Sequence, residues 1–77
     1  MTRVRYFAAA AEAAGVDTEE RSEHSLVALR TAVIADHPDL APILPRCAVL
    51  VDGVRADDDR LLDDAELIDV LPPFAGG

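Results

Sequence analysis

One segment of the chain, SLVALRTAVIADH at residues 25–37, restricts the possible folds more than any other. Ser25 offers an N-cap hydroxyl, and Leu26, Leu29 and Val33 follow at the i, i+3 and i+7 spacing that places apolar side chains on one face of a helix. Pro38 predicts the end of this helix, because the residue before a proline is disfavoured in the α region. A single amphipathic helix must bury its apolar face against another element. The rest of the chain should therefore form a sheet.

Strand-like segments lie on both sides of the predicted helix. The segment Arg3–Ala8 (RVRYFA) begins with alternating polar and apolar residues and contains β-branched and aromatic types. Residues 47–53 (CAVLVDG) form an apolar run too short for a helix and end in Asp-Gly, which favours a tight turn. Residues 66–71 (ELIDVL) form the last predicted strand. The segment at 47–53 has the composition of a buried strand.

Three shorter segments carry weaker signals. Residues 9–15 (AAAEAAG) combine good helix formers with a closing glycine and predict one or two helical turns. Residues 18–25 (TEERSEHS) are polar, and we interpret them as a solvated edge strand pairing back on the first strand, with a plain loop as the alternative. Residues 39–45 (DLAPILP) predict a short helical turn between prolines.

The remaining passage, residues 54–64, is polar and should contain a short strand, with Leu61 and Leu62 packed beneath a loop. The predicted order is then strand, strand, long helix, strand, short strand, strand. This order predicts an α+β domain in which a mixed sheet of about five strands is covered on one face by one main helix. A chain of 77 residues makes one such domain with a small hydrophobic core.

The charge balance is strongly negative. The chain has 10 Asp, 5 Glu and 7 Arg but no Lys, for a net charge of −8. Such a surface repels nucleic-acid phosphates and favours a basic protein partner. Eight of the 15 acidic residues lie between Asp52 and Asp69, so this part of the chain either steers a basic partner or only keeps the protein soluble.

Several chemically active residue types have simple structural interpretations. The single cysteine, Cys47, has no internal disulfide partner and is predicted to be a small buried core residue in an apolar strand. His24 and His37 are predicted at the surface or at a helix end. Asp57–Asp59 lack the spaced ligands and turn glycine of a calcium loop, so we expect a solvated loop and no metal site.

The first residues, MTRVRYFAAAAEAAG, partly resemble a secretory signal. Glu12, however, ends the apolar run of residues 6–11, which is shorter than the roughly 7 to 15 residues of a typical signal core. No apolar run is long enough to span a membrane. We therefore expect a cytoplasmic protein with no membrane partner.

The element order, the length and the ending LPPFAGG together resemble the ubiquitin-like β-grasp sulfur carriers, most closely the branch of the molybdopterin synthase small subunit. The resemblance covers the whole chain through VRYFAAAAEAAG, SLVALRTAVIADHPDL, AVLVDGV and, most specifically, LLDDAELIDVLPPFAGG. Three departures concern Ala65 at a turn that often has glycine, Asp69 inside the last strand, and Phe74-Ala75 in place of a smaller aliphatic followed by serine. The thiamine-pathway carriers of the same fold are less similar.

The resemblance implies a single β-grasp domain at residues 1–71 and an extended functional tail at residues 72–77. It implies that Gly77 is adenylated by an E1-like adenylating enzyme that consumes ATP, and that a sulfur donor protein then converts it to a thiocarboxylate. The large subunit of molybdopterin synthase, in a heterotetramer, would receive the tail, and the sulfur would pass to cyclic pyranopterin monophosphate. The chain would be a carrier without enzymatic activity of its own and without a permanently bound cofactor. The residues expected to enter the partner's channel are Gly76, Ala75, Phe74, Pro73, Pro72 and Leu71.

The composition of the tail suits such a role. Gly76 and Gly77 have no side chains to obstruct a narrow channel. Pro72 and Pro73 fix φ before binding and so reduce the entropy lost on ordering. Phe74 is expected to anchor the tail at the mouth of the channel, where burial would contribute roughly 1.5 to 3 kcal/mol. The alternative is that Phe74 and Leu71 fold back and complete the core, which would leave no exposed anchor.

Three other functions stay open on the sequence alone. The sulfur could go to another pathway, such as thiamine or cysteine synthesis. The chain could be a ubiquitin-like modifier joined to lysines of other proteins, although without lysine it cannot form lysine-linked chains of itself. It could also be a non-covalent ubiquitin-like interaction domain in which the last residues have no role.

Overall fold

The computed structural model describes residues 1–56 and 59–73. These residues form five strands, two α-helices and two short 3₁₀ turns. The elements are β1 (Thr2–Tyr6), α1 (Ala9–Ala14), β2 (Thr18–Arg21), α2 (Leu26–Asp36), 3₁₀ turns at Pro38–Leu40 and Leu44–Arg46, β3 (Ala48–Val51), β4 (Val54–Arg55) and β5 (Leu67–Leu71).

The five strands form one mixed sheet with the order β2-β1-β5-β3-β4. The neighbours β1 and β5 are parallel, and every other pair is antiparallel. The predicted α+β architecture is confirmed, including the edge strand that pairs back on β1. That strand ends at Arg21 rather than at residue 25. β1 ends at Tyr6, earlier than the predicted Ala8, because Ala8 takes a positive φ of 52° at the start of α1.

The main helix forms as its sequence predicts. The Oγ of Ser25 accepts a hydrogen bond from the backbone N–H of Ala28 at 3.1 Å, which satisfies one of the unpaired N–H groups of the first turn. The helix ends at Asp36, two residues before Pro38. Its buried side chains belong to the predicted face: Leu26, Leu29 and Val33.

The core lies between α2 and the inner face of the sheet. Alternate residues of the central strands point into it, as the two-residue period of a strand requires. The 3₁₀ turns add Leu40 and Leu44, and the loop before β5 adds Leu62. The strand residues buried in this core are Val4, Tyr6, Val49, Val51, Ile68 and Val70.

The two leucines of the loop before β5 have opposite environments. Leu62 is 2% exposed, as predicted, whereas Leu61 is 75% exposed, so the expectation that it packs beneath a loop is wrong. The backbone at Leu61 is extended and forms an isolated antiparallel bridge with Ser25. Successive side chains of extended backbone point in opposite directions, so only one of the two can enter the core.

Cys47 differs from its prediction. It precedes β3 instead of lying inside it, because the 3₁₀ turn at Leu44–Arg46 continues until the residue before it. The thiol is half-buried at the edge of the core, and its Sγ donates to the carbonyl of Ile43 at 3.4 Å. Burial raises the pKa of the Cys47 thiol, which keeps it in the unreactive protonated form.

A tight turn joins β3 and β4 at Asp52 and Gly53, both with positive φ (49° and 84°). Asp-Gly is the pair that two-residue hairpin turns of this kind prefer. The carboxylate of Asp52 also accepts hydrogen bonds from the backbone N–H groups of Glu66 and Leu67, at 3.1 and 2.9 Å. The turn thereby fixes the point where β5 begins.

A polar network attaches the edge strand β2 to the end of α2. One carboxylate oxygen of Glu19 accepts from the hydroxyl of Tyr6 at 2.5 Å and lies 2.9 Å from Nε2 of His37. Its other oxygen accepts from Arg21 at 3.2 Å, and Arg21 also donates to Asp36 at 2.6 Å. Because β2 has a free edge and few apolar contacts, we infer that these bonds hold it against the helix.

The network predicts a specific dependence of stability on pH. Burial raises the pKa of Glu19, but hydrogen bonds from Tyr6, His37 and Arg21 outweigh burial and hold it below its ordinary value of 4.5. A carboxylate with a lowered pKa in the folded state stabilises the fold above its unfolded pKa and loses this contribution as the pH falls through its folded pKa. We expect Glu19→Gln to lower the free energy of unfolding by about 1–3 kcal/mol near pH 6, and by progressively less as the pH falls below 4.5.

Urea unfolding at several pH values measures this difference directly. Glu20→Gln is the matched control, because Glu20 lies on the same strand and makes an exposed pair with Arg3. Its free energy of unfolding should follow that of the wild type within about 0.5 kcal/mol. A Glu19→Gln curve that stays parallel to the wild-type curve would show that the network does not carry the pH dependence.

Candidate functional site

The tail predicted from the sequence continues from the centre of the sheet. β5 lies between β1 and β3 and ends at Leu71, which is paired with Ala48. Pro72 is half-buried and Pro73 is exposed. Proline has no N–H group and cannot extend the hydrogen bonding of a central strand, so the sheet ends here. The tail thus starts from a strand that is hydrogen-bonded on both sides.

The structure describes only the first three of the predicted tail residues, Leu71, Pro72 and Pro73. Leu71 is half-buried as the last residue of β5, followed by the two prolines. Phe74, Ala75, Gly76 and Gly77 lie outside the described residues. The roles predicted for them, and the division of the chain at residue 72, stay predictions.

An ion pair between two neighbouring strands lies on the outer face of the sheet, opposite α2. Nε and Nη2 of Arg5 donate to the two carboxylate oxygens of Asp69 at 2.6 and 2.9 Å. The two residues are directly paired between β1 and β5, and Asp69 is only 8% exposed. The Asp69 hydrogen bonds outweigh desolvation and raise the pKa of Arg5. The charge inside the last strand is therefore neutralised by its neighbour.

The outer face near the start of the tail is otherwise mainly apolar. Arg5 places its guanidinium 5.5 Å from the centre of the Phe7 ring, and Phe7 is 38% exposed. The face also carries four half-buried aliphatic residues, which are Ala48, Leu50, Leu67 and Leu71. The bidentate ion pair joins β5 to β1 two residues before the end of β5. The face can therefore serve as a contact surface.

The other candidate residues stand apart from the tail. His37 caps the end of α2 and contacts Glu19, while Nδ1 of the exposed His24 lies 2.8 Å from Asp63; both agree with the predicted surface and helix-end positions.

Asp57 and Asp58 lie outside the described residues, and Asp59 accepts from the backbone N–H of Val27 at 2.9 Å. Residues 1–56 and 59–73 contain no group of three His, Cys, Asp or Glu side chains suited to hold a metal ion. In the same residues no helix is long and apolar enough to cross a bilayer.

The mixed sheet, the single main helix and the proline-led continuation of the central strand define a small ubiquitin-like β-grasp domain. Residues 4–77 match the ThiS family, and the chain belongs to this family. The chain is also 34% identical, over 97% of its length and 96% of the relative's, to the molybdopterin synthase sulfur carrier subunit of Chlamydomonas reinhardtii. The resemblance found in the sequence is thereby confirmed.

The fold is shared with a solved structure. The crystal structure of SAMP1 from Haloferax volcanii superposes with a TM-score of 0.80, covering 99% of this chain and 98% of that one, at 22% sequence identity. A likeness at this level of identity establishes the ubiquitin-like fold and leaves the function to other observations.

Proposed function

We propose that this protein is the sulfur carrier of a molybdopterin synthase. The observation that supports this most directly is the 34% identity, over nearly the full length of both chains, to a relative with that name. The family match continues to residue 77 and so includes the Gly-Gly ending. In this proposal the chain is a co-substrate whose only reacting group is the carboxylate of Gly77.

The chemistry requires activation before sulfur transfer. The carboxylate of Gly77 is ionised at neutral pH, since an α-carboxyl has a pKa of about 3.3–3.7, and it is a poor electrophile. An adenylating enzyme joins it to AMP with release of pyrophosphate from ATP. The terminal sulfur of a persulfide on a donor protein then attacks the acyl carbon and displaces AMP. A second thiol breaks the S–S bond of the resulting acyl disulfide, which releases the thiocarboxylate and leaves a disulfide. The new C–S bond thus replaces the acyl–phosphate bond, and AMP carries away the departing oxygen.

The body of the protein would present this group to its partners. β5 is paired on both sides, and the ion pair between Arg5 and Asp69 holds it to β1 two residues before its end. The six residues of the tail extend at most about 20 Å, at roughly 3.3–3.6 Å per residue. A rigid start and a narrow, extendable end suit delivery of a reactive group into a buried active site.

The partners follow from this chemistry. The large subunit of molybdopterin synthase would receive the tail, in a heterotetramer, and the thiocarboxylate would supply sulfur to cyclic pyranopterin monophosphate. The adenylating enzyme and the sulfur donor protein would bind the carrier in turn. We place all these steps in the cytoplasm. ATP is consumed by the activating enzyme, and the carrier itself holds no cofactor.

A second candidate function is sulfur delivery in thiamine synthesis, which the match to the ThiS family favours. One experiment separates the two. The thiocarboxylated protein is mixed with a molybdopterin synthase large subunit and its pterin substrate, or with a thiazole synthase and its substrates. Formation of molybdopterin alone supports the proposal, and formation of the thiazole alone replaces it with the second candidate.

Phe74 provides a test of how the tail is recognised. We expect Phe74→Ala to weaken binding to the large subunit roughly 10- to 100-fold, because the truncation removes about 1.5–3 kcal/mol of apolar burial. Isothermal titration calorimetry measures the affinity. Val16→Ala is the control, since Val16 is an exposed apolar residue of the domain body, outside the tail. Unchanged affinity in Phe74→Ala would favour the alternative in which this ring packs on the domain.

A further inference from the structure

A groove of about 360 Å³ lies between the β3–β4 turn and the loop before β5. The groove lies at the beginning of β5, and the tail starts at the opposite end of this strand. Asp52 in the turn donates its backbone N–H to the carbonyl of Leu67 at 2.8 Å, where β5 begins, whereas the tail follows Leu71 at the other end of this strand. The strand separates the two places by about 13 Å, at roughly 3.3 Å per residue. A partner in the groove would leave the tail accessible.

The groove exposes two aliphatic side chains in fixed positions. Leu61 is 75% exposed and Val54 is 60% exposed; among the described residues only Met1 is a more exposed large hydrophobic residue. The backbone around Leu61 is held by hydrogen bonds from Leu26 N–H to the carbonyl of Arg60 and from Leu62 N–H to the carbonyl of His24, at 2.9 and 2.8 Å. The exposure of Leu61 is thus built into the fold.

Charged side chains surround these two residues. Asp63 and Asp64 are exposed and line the groove, together with the carboxylate of Asp52, which also binds backbone N–H groups. Arg60 is the only cation among the described residues that line it. The groove therefore combines an apolar floor with a net negative rim. A ligand that complements both features has cationic side chains beside an aliphatic one.

We propose that this groove binds a basic segment of a partner protein. An aliphatic side chain of that segment covers Val54 and Leu61, and neighbouring Arg or Lys side chains pair with Asp63 and Asp64. A second copy of this chain is a poor occupant, because each copy has a net charge of −8 and no lysine. Nucleic acid is disfavoured for the same electrostatic reason. The proposal does not depend on chemistry at Gly77 and concerns a surface apart from the tail.

The test uses the full chain and a fluorescein-labelled peptide with one leucine between two groups of three arginines. Fluorescence anisotropy gives the affinity at low ionic strength. Two variants alter the groove, Leu61→Ala and the double substitution Asp63→Asn with Asp64→Asn. We expect each to weaken binding roughly tenfold, through loss of apolar contact in the first and of ion pairs in the second. Replacing the leucine of the peptide by serine should weaken binding to the wild type to a similar degree.

Matched controls separate groove binding from general attraction between opposite charges. Val27→Ala removes an aliphatic side chain that is 54% exposed on α2. The pair Glu12→Gln and Asp39→Asn removes two exposed carboxylates from α1 and a 3₁₀ turn, which equals the charge change of the Asp63 and Asp64 variant. Both controls should bind the peptide within about twofold of the wild type, since their side chains lie outside the groove.

The outcomes are distinct. Loss of affinity in the groove variants alone supports the proposal, as do amide chemical-shift changes confined to residues of the groove. If the control variants lose as much affinity as the groove variants, the peptide is attracted only by the net charge of the protein, and the proposal is overturned. Absence of peptide binding, or self-association of the chain through Leu61 in sedimentation, would overturn it as well. A chain lacking residues 74–77 should bind normally, so this result is independent of whether the tail carries sulfur.

Discussion

Removing Gly77 is expected to reduce the rate of thiocarboxylate formation by at least about 100-fold. The shortened chain still ends in a glycine carboxylate, that of Gly76, so its intrinsic reactivity is unchanged. Its reacting carbon, however, lies one residue closer to the domain, about 3.5 Å short of the nucleotide. A misplacement of 1 Å in an enzyme active site can cost about 100-fold in rate. The expected loss thus follows from reach alone.

Intact mass spectrometry after incubation with ATP, a sulfur source and the activating enzyme measures this loss. Replacement of oxygen by sulfur changes the mass almost as oxidation of Met1 or Cys47 does, so selective alkylation of the thiocarboxylate is required. Val16→Ala is the control variant, since it alters an exposed residue of the body outside the groove and keeps the tail. Equal modification of the shortened and full-length chains would contradict the proposed role of Gly77. Modification of neither chain by a proven active enzyme would favour a non-covalent ubiquitin-like domain.

Much of the fold could be predicted because its signals are local. The helix α2 has its cap, its apolar face and its terminating proline within fourteen residues, 25–38. The turn at Asp52-Gly53 is specified by two residues that accept positive φ. The family was also apparent from the order of elements and the last seven residues. These features depend on residues that are close together in the sequence, so they can be predicted without knowledge of the tertiary structure.

The interactions missed from the sequence are those between distant residues. Arg5 and Asp69 are 64 positions apart and become neighbours only when β1 and β5 pair in parallel. Opposite charges on two predicted strands are a signal for such a pair, but the register that joins them comes from the folded sheet. The contacts of Glu19 with Tyr6 and His37 could not be predicted for the same reason, because they too depend on the folded sheet. A polar edge strand gave no apolar pattern from which to infer its packing.

The environments of Leu61 and Leu62 also could not be assigned from their order alone. Both are leucines in a polar passage, and either could enter the core. The hydrogen bond from Leu62 N–H to the carbonyl of His24 sets the extended backbone so that only Leu62 faces inward. This bond joins residues 38 positions apart, so the choice depends on tertiary structure. Two identical side chains with opposite burial give a matched pair for measuring what the core contributes.

Leu62→Ala is therefore expected to lower the free energy of unfolding by about 2–5 kcal/mol, whereas Leu61→Ala should change it by less than about 0.5 kcal/mol. The first substitution leaves a cavity beneath the loop before β5, and the second removes a side chain that is 75% in solvent. A domain of this size has a net stability of only roughly 4–12 kcal/mol. The loss expected for Leu62→Ala would lower the melting temperature by about 8–40 °C.

Urea unfolding followed by circular dichroism compares the two variants under one condition. Because both changes are Leu→Ala in adjacent residues, their effects on the unfolded chain nearly cancel, and the difference reports burial in the native state. Similar losses for the two variants would show that Leu62 does not fill the core or that Leu61 is covered in solution. A stable Leu61→Ala variant, in turn, makes any loss of peptide binding attributable to the groove surface, since the fold beneath it is intact.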